Sequence, residues 1–268
     1  MLGKLLKYDF RSMGKQFAFI WPAALVMALL NRFTIGNLDS SDVTRELFSG
    51  IAMLVYVSIL IALFVIALIF VIQRFYLGLL GDEGYLMFTL PVHPWQLIVS
   101  KAICALAATT VSILVALCSI LLLVPGATSE LLGVFPAFFA ALGREGGQGA
   151  LLLAELVLTA LVGGLAGFFQ LYLAMAIGHL FGKNRIALSV VAYIAIQAVL
   201  NTVLTAAMVA LAPWMEGHIG PFLASTFQDN AWAMLHGMLW LLILGTALLG
   251  AAFFFGTEYI LRKRLNLE

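Results

Sequence analysis

Charge is what this sequence has least of. Only 10% of its 268 residues are Asp, Glu, Lys or Arg, against about 25% in an ordinary soluble domain. Hydrophobic residues make up 63%, and the mean hydropathy is +1.09. So little polar surface cannot coat a water-soluble particle, so the bilayer has to be the solvent for most of the chain. A net charge of +1 excludes the basic footprint of a nucleic-acid-binding protein. Cysteine is nearly absent. Cys104 and Cys118 fall in one expected helix, about 21 Å apart along it at 1.5 Å per residue, which excludes a disulfide between them. Both read as small packing residues.

The motifs of catalysis are missing too. There is no GxxxxGK[ST] phosphate loop; GHLFGKN (178–184) has the wrong spacing and lacks the hydroxyl. There is no HExxH, no paired-cysteine metal spacing and no nucleophile elbow. His93, His179, His218 and His236 are scattered along the chain. An enzyme reading has little to stand on. No small-x-small site follows the first apolar run, so the N-terminus is expected to be retained.

What is present is a series of long apolar runs. They predict an all-α integral membrane protein with spans at 17–30, 50–72, 102–124, 150–177, 186–212 and 234–255. Residues 1–17 read as an amphipathic helix lying in the membrane interface. Leu2, Leu5, Leu6, Phe10, Met13 and Phe17 take one face, and Lys4, Lys7, Arg11 and Lys15 the other. Residues 36–49 and 126–149 read as loops, with 131–142 resting on or dipping into the membrane surface. The segment 213–230 reads as a further loop on the same side. Ala105, Thr109, Ser112, Ala116 and Ser119 form a small-residue stripe that should pack on another helix, within the chain or across a dimer. Gly163 and Gly167 have GxxxG spacing, a weak sign of close helix packing.

Lys4, Lys7, Arg11, Lys15, Arg74, Lys101, Lys183, Arg185, Arg262, Lys263 and Arg264 fall on one side of this topology. Only Arg32, Arg45 and Arg144 fall on the other. The positive-inside rule puts both termini in the cytoplasm, with the stretch 81–101 beside them. That stretch, GDEGYLMFTLPVHPWQLIVSK, packs acids, turn glycines, two prolines and aromatics between two spans. It reads as a docking element, or else as a connector with interfacial aromatics. Within the spans, Glu155 is either a functional carboxylate or a side chain snorkelling to the outer headgroups. Gln170 lies deeper in the same span. Gln197, Asn201 and Thr205 recur every four residues, as the lining of a polar path or as interhelical hydrogen-bonding groups.

Three stretches carry a family resemblance: the basic start KLLKYDFRSMGK, the segment GDEGYLMFTLPVHPWQLIVSK and the tail FGTEYILRKRLNLE. Together they resemble the membrane subunit of ABC-2 type ABC exporters, in particular the small six-span permeases common in Gram-positive bacteria. The resemblance is specific in the loop and rests on topology elsewhere. It implies a subunit of the cell membrane that pairs with a second permease, identical or related. Separate cytoplasmic ATPase subunits would bind ATP and Mg²⁺. Residues 81–97 would form the cytoplasmic coupling helix, with Asp82 and Glu83 facing basic groups of the ATPase. Gly84 lies in the same turn, Tyr85, Leu86, Phe88 and Trp95 would be apolar anchors, and Pro91, with Pro94, would fix the turn back into the membrane. The family also suggests that 213–230 dips partly into the bilayer.

The expected function is therefore export of an amphiphilic cargo: an antimicrobial peptide, a lipid or a hydrophobic drug. Glu155, Gln170, Gln197, Asn201 and Thr205 are the candidates for the cargo path. Two alternatives stand beside it: a membrane sensor or scaffold that transports nothing, and a stand-alone secondary transporter, which would need an ion site in the membrane.

Overall fold

The computed structural model of the protein describes residues 2–35, 43–81, 93–123, 127–144, 146–181, 184–214, 216–217 and 220–263. Among the described residues there is no strand. The helices in chain order are α1 (Leu2–Phe17), α2 (Ile20–Ile35), α3 (Val43–Phe75), α4 (Pro94–Leu123), α5 (Ala127–Arg144), α6 (Gly147–His179), α7 (Arg185–Trp214) and α8 (Gly220–Lys263). A π-helical turn, Tyr76–Leu80, continues α3. Among the described residues, six stretches are long and apolar enough to cross a bilayer: Gly3–Phe33, Gly50–Leu80, Pro94–Leu123, Gly147–His179, Arg185–Trp214 and Asn230–Lys263. The molecule is a multi-pass membrane protein.

Several stretches expected as loops are helical. Residues 43–49 form the first turns of α3, and 127–144 form α5 despite Pro136 inside it. Residues 220–229 are the first part of α8, which kinks at Asn230, where φ is −157° and ψ is 81°. The Asn230 Oδ1 accepts the Ala233 N–H at 3.2 Å, capping the helix that resumes there. The third span also begins earlier than expected. Pro94 opens α4, so residues 94–97 belong to that helix, at a position where a missing N–H costs nothing. These stretches carry polar residues, glycine or proline, none of which by itself prevents a helix. A helix end only needs its i→i−4 bonds, and can run past the hydrocarbon with polar side chains. Thirty-three residues, as in α3 and α6, make about 50 Å of helix, against a hydrocarbon core of about 30 Å.

Two compact units can be described separately. The first comprises Met1–Phe75 and Val99–Leu142. In it the small-residue stripe of α4 packs within the chain. Ala116 is buried with Ala24 of α2 and Leu63 of α3. Ser112 accepts a hydrogen bond from the Trp21 indole at 3.1 Å. The Ser119 hydroxyl donates to the Ala116 carbonyl and so receives the Tyr56 hydroxyl, at 2.9 Å. Small side chains let the backbones come close, and their hydroxyls satisfy the polar tips of the aromatics. Phe17, at the end of α1, stacks on Trp21 and meets Phe70 edge-on. Cys104 is buried and Cys118 exposed, and they form no disulfide with each other.

The second unit comprises Tyr76–Ile98 and Gly143–Glu268. Here α6 packs against both α7 and α8. Gly163 and Gly167 do not make the close approach that their spacing suggested: a methyl group on either would meet nothing within 4 Å. The close approaches fall elsewhere. Gly250 of α8 faces Ala166, where an added Cβ would lie 3.1 Å from the Ala166 methyl. Gly178 of α6 lies directly against the backbone of Ser189 of α7. Phe169 and Phe254 add an edge-to-face contact between α6 and α8 at 5.2 Å. Residues 201–211 of α7 are exposed throughout.

Candidate functional site

The most heavily bonded polar group in the first unit is one that sequence reasoning passed over. Asp9 of α1 is 2% exposed. Its Oδ1 accepts from the Arg74 guanidinium and, at 2.8 Å, from the Lys101 ammonium. Its Oδ2 accepts from the Ser100 hydroxyl at 2.8 Å. Lys101 is itself buried. The Arg74 guanidinium also lies over the Tyr8 ring, 5.6 Å from its centroid. The α1 helix presents Asp9, Met13 and Phe17 to the interior, while Lys4, Lys7, Arg11 and Lys15 are exposed. Phe10, expected on the apolar face, is exposed, because the buried stripe runs one residue to the side, through Asp9.

A carboxylate buried with two cations is stable only when its lone pairs are taken up and the charges compensate. Here the carboxylate's oxygens are taken up and its charge is answered, and Arg74, the cation in excess, keeps part of its side chain exposed. The pattern has a sequence consequence. Arg74 and Lys101 are the nearest basic residues before and after the stretch 81–97. One carboxylate of α1 thus ties down the two helices that lead into and out of that stretch. Asp82, Glu83, Gly84, Tyr85, Leu86, Phe88 and Pro91 lie outside the described residues. Trp95, in the first turn of α4, is 41% exposed.

The second unit brings Glu155 to a partner that the sequence did not suggest. Glu155 is buried in α6 about 12 Å along the helix from Gly147. Its Oε2 lies 2.5 Å from Nδ1 of His236 on α8. The other ring nitrogen, Nε2, donates to the Gln148 Oε1 at 2.9 Å, and Trp232 stacks on the ring at 6.0 Å. The Gln148 Oε1 can only accept, so Nε2 carries a hydrogen, and the Glu155 carboxylate meets the Nδ1 side of the ring. Glu155 therefore does not snorkel; it joins α6 to α8.

The four remaining cargo-path candidates separate into two pairs. Gln170 Nε2 donates to Gln197 Oε1 at 2.8 Å, an interhelical bond between α6 and α7. Asn201 and Thr205 instead line an open groove of about 610 Å³ on α7, together with Thr202, Ala206, Val209 and Ala210. Among the described residues, no three His, Cys, Asp or Glu side chains converge as metal ligands would.

The Glu155–His236 pair makes a stability prediction. His236→Leu leaves a buried carboxylate without its partner and should cost about 1–3 kcal/mol. Glu155→Gln keeps a group that can still bond the ring and should cost less. The double variant should recover part of the loss of His236→Leu, because the orphaned charge is gone. Thermal unfolding in detergent of the two single variants and the double one measures this. Additive losses would show that the pair does not interact.

Comparison with family models, with characterised proteins and with solved structures finds no match to this chain.

Proposed function

We infer that the protein is the membrane subunit of an ATP-driven exporter of the ABC-2 type, moving an amphiphilic cargo out of the cytoplasm or the inner leaflet. In this reading it works beside a second permease subunit in the cell membrane, with both termini in the cytoplasm. Separate ATPase subunits bind ATP and Mg²⁺ and push on residues 81–97, where Asp82, Glu83, Tyr85, Leu86 and Phe88 make the contact. The α1 helix lies along the membrane interface.

The observation that carries this reading is the Asp9 cluster. A stroke delivered between Arg74 and Lys101 has to move α3 and α4 where both are bonded to α1. A loose connector would not need its two flanks tied to one buried carboxylate. The sequence resemblance, strongest in that same stretch, supports the reading, and so does the lack of a phosphate loop of its own. Cells carrying Glu83→Ala or Tyr85→Ala should lose ATP-dependent efflux of an amphiphilic dye while membrane levels of the protein hold. Efflux equal to that of the unaltered protein in both variants would remove the coupling role from 81–97.

Glu155 and His236 favour one alternative, a proton-linked secondary transporter. A carboxylate and an imidazole in contact between two spans are the kinds of group such a transporter uses. Efflux that persists in vesicles free of ATP and of any ATPase, and that is abolished in Glu155→Gln, would establish it in place of the exporter.

A further inference from the structure

The side of α1 turned away from Asp9 is uniformly basic. At about 100° per residue, Lys7, Arg11, Lys4 and Lys15 fall in that order within an arc of about 80°, and all four are exposed. Tyr8 and Phe10 stand at the two edges of the arc, 66% and 37% exposed. Asp9 is the only acid in α1, and it is buried among Arg74, Ser100 and Lys101. The Arg74 guanidinium adds a fifth cation at the Tyr8 edge, 5.6 Å from the ring centroid. Asp9 engages its Nε and Nη2, so Nη1 is outside that contact, and the side chain keeps 19% of its surface exposed. We propose that this face is a binding surface for anionic lipid headgroups, an inference that rests on the interfacial placement of α1 in the reading above and not on the ATPase.

The depth of the face follows from the Asp9 contacts. The stretches 50–72 of α3 and 102–123 of α4 are free of charge. Each makes about 33–34 Å of helix, enough to fill a hydrocarbon core of about 30 Å. Arg74 stands just past the end of the first stretch, and Lys101 just before the start of the second. Both reach Asp9, so α1 is held where the hydrocarbon gives way to headgroups. Met13 and Phe17 face the interior, which leaves the exposed cations at the level of lipid phosphates. Each lysine or arginine at that level adds to the attraction for anionic lipid. Tyr8 and Phe10 suit the same level, where aromatic rings settle between headgroup and acyl chain. An acidic protein surface would match the charge too, but it would have to reach into the headgroup layer to meet it. A lipid held here would also steady α3 and α4, since both are bonded to α1 through Asp9.

The full-length protein in detergent is titrated with phosphatidylglycerol and, separately, with phosphatidylcholine, which carries no net charge. Binding is followed by native mass spectrometry. The unaltered protein should bind phosphatidylglycerol at least about tenfold more tightly than phosphatidylcholine. Lys7→Gln with Arg11→Gln should weaken phosphatidylglycerol binding at least about tenfold and leave phosphatidylcholine binding unchanged. Lys7→Arg with Arg11→Lys keeps both charges and should keep the affinity. Arg262→Gln with Lys263→Gln removes two exposed charges from α8 and should leave phosphatidylglycerol binding unchanged. Equal phosphatidylglycerol affinities in the unaltered protein and Lys7→Gln with Arg11→Gln would overturn the proposal and leave the face to an acidic protein. Equal losses from the α1 and α8 pairs would overturn it as well, because surface charge anywhere would then suffice. So would phosphatidylcholine bound as tightly as phosphatidylglycerol by the unaltered protein. If Lys7→Gln with Arg11→Gln aggregates on size exclusion, Lys4→Gln with Lys15→Gln, on the same face, decides on the same terms. ATP hydrolysis plays no part in these readouts, so their failure is distinct from a failure of the coupling role of 81–97.

Discussion

Asp9→Ala should cost the protein about 3–5 kcal/mol, the largest loss expected from removing any single side chain described above. The argument is one of uncompensated charge. Arg74 and Lys101 converge on the same carboxylate oxygen, and Lys101 is buried. Without Asp9 two cations face each other, with Ser100 left beside them. Arg74, already partly exposed, can turn toward water, but Lys101 is buried and has no such route. Asp9→Asn should do little better, because an amide can accept hydrogen bonds but brings no negative charge. Removing one cation as well should help: Asp9→Asn with Lys101→Met should unfold at a higher temperature than Asp9→Asn alone. Thermal unfolding of the detergent-solubilised protein measures all three. A further loss in the double variant would show that the cluster is held by packing and not by charge.

Gly178→Ala comes next in size. The hydrogen at Gly178 is the only substituent that fits, because a methyl there would lie 2.6 Å from the Ser189 Cα and closer still to its backbone nitrogen and hydroxyl. Backbone atoms cannot rotate aside, so α6 and α7 would have to separate at the turn that joins them. The expected loss is about 3 kcal/mol or more, the upper end for overpacking. Two controls make the assignment specific. Ser189→Ala in the same background should restore little, since the overlap with the backbone remains. Gly163→Ala, in the same helix with open space around it, should be neutral or gain up to about 1 kcal/mol from helix propensity. Equal unfolding temperatures for the Gly163 and Gly178 variants would contradict the close approach.

The sequence revealed the part of the fold that depends on local composition. Uninterrupted apolar runs mark spans wherever water is excluded, and five stood out; the first candidate, Gly3–Phe33, also takes in the basic α1, which read as a separate interfacial helix. The stripe on α4 was visible for the same reason: its period places Ala105, Ser112, Ala116 and Ser119 on one side of a helix. Where a helix continues through polar residues, as at 43–49, hydropathy carries no signal; 127–144 and 220–229 are more apolar, but their prolines and glycines and their lengths, too short to span, read as loops. The buried charge clusters were hidden for a different reason. Asp9 meets Arg74 and Lys101 across sixty-five and ninety-two positions, and Glu155 meets His236 across eighty-one. No local pattern encodes such distances. A hint was available for Asp9, the single acid in an otherwise basic helix, lying beside the apolar face. Gln197 was grouped with Asn201 and Thr205 by spacing alone, yet a drift of about 40° per four residues suffices to turn it toward Gln170.

In the proposed function a separate ATPase drives this membrane protein through residues 81–97. This is tested most directly by capturing the tagged full-length protein from native membranes and assaying the complex for ATP hydrolysis. The account predicts vanadate-sensitive hydrolysis that co-purifies with the unaltered protein and falls at least about tenfold in Glu83→Ala and Tyr85→Ala, as loss of an interface anchor would give. Hydrolysis absent from the unaltered complex, or retained in full by both variants, would contradict it.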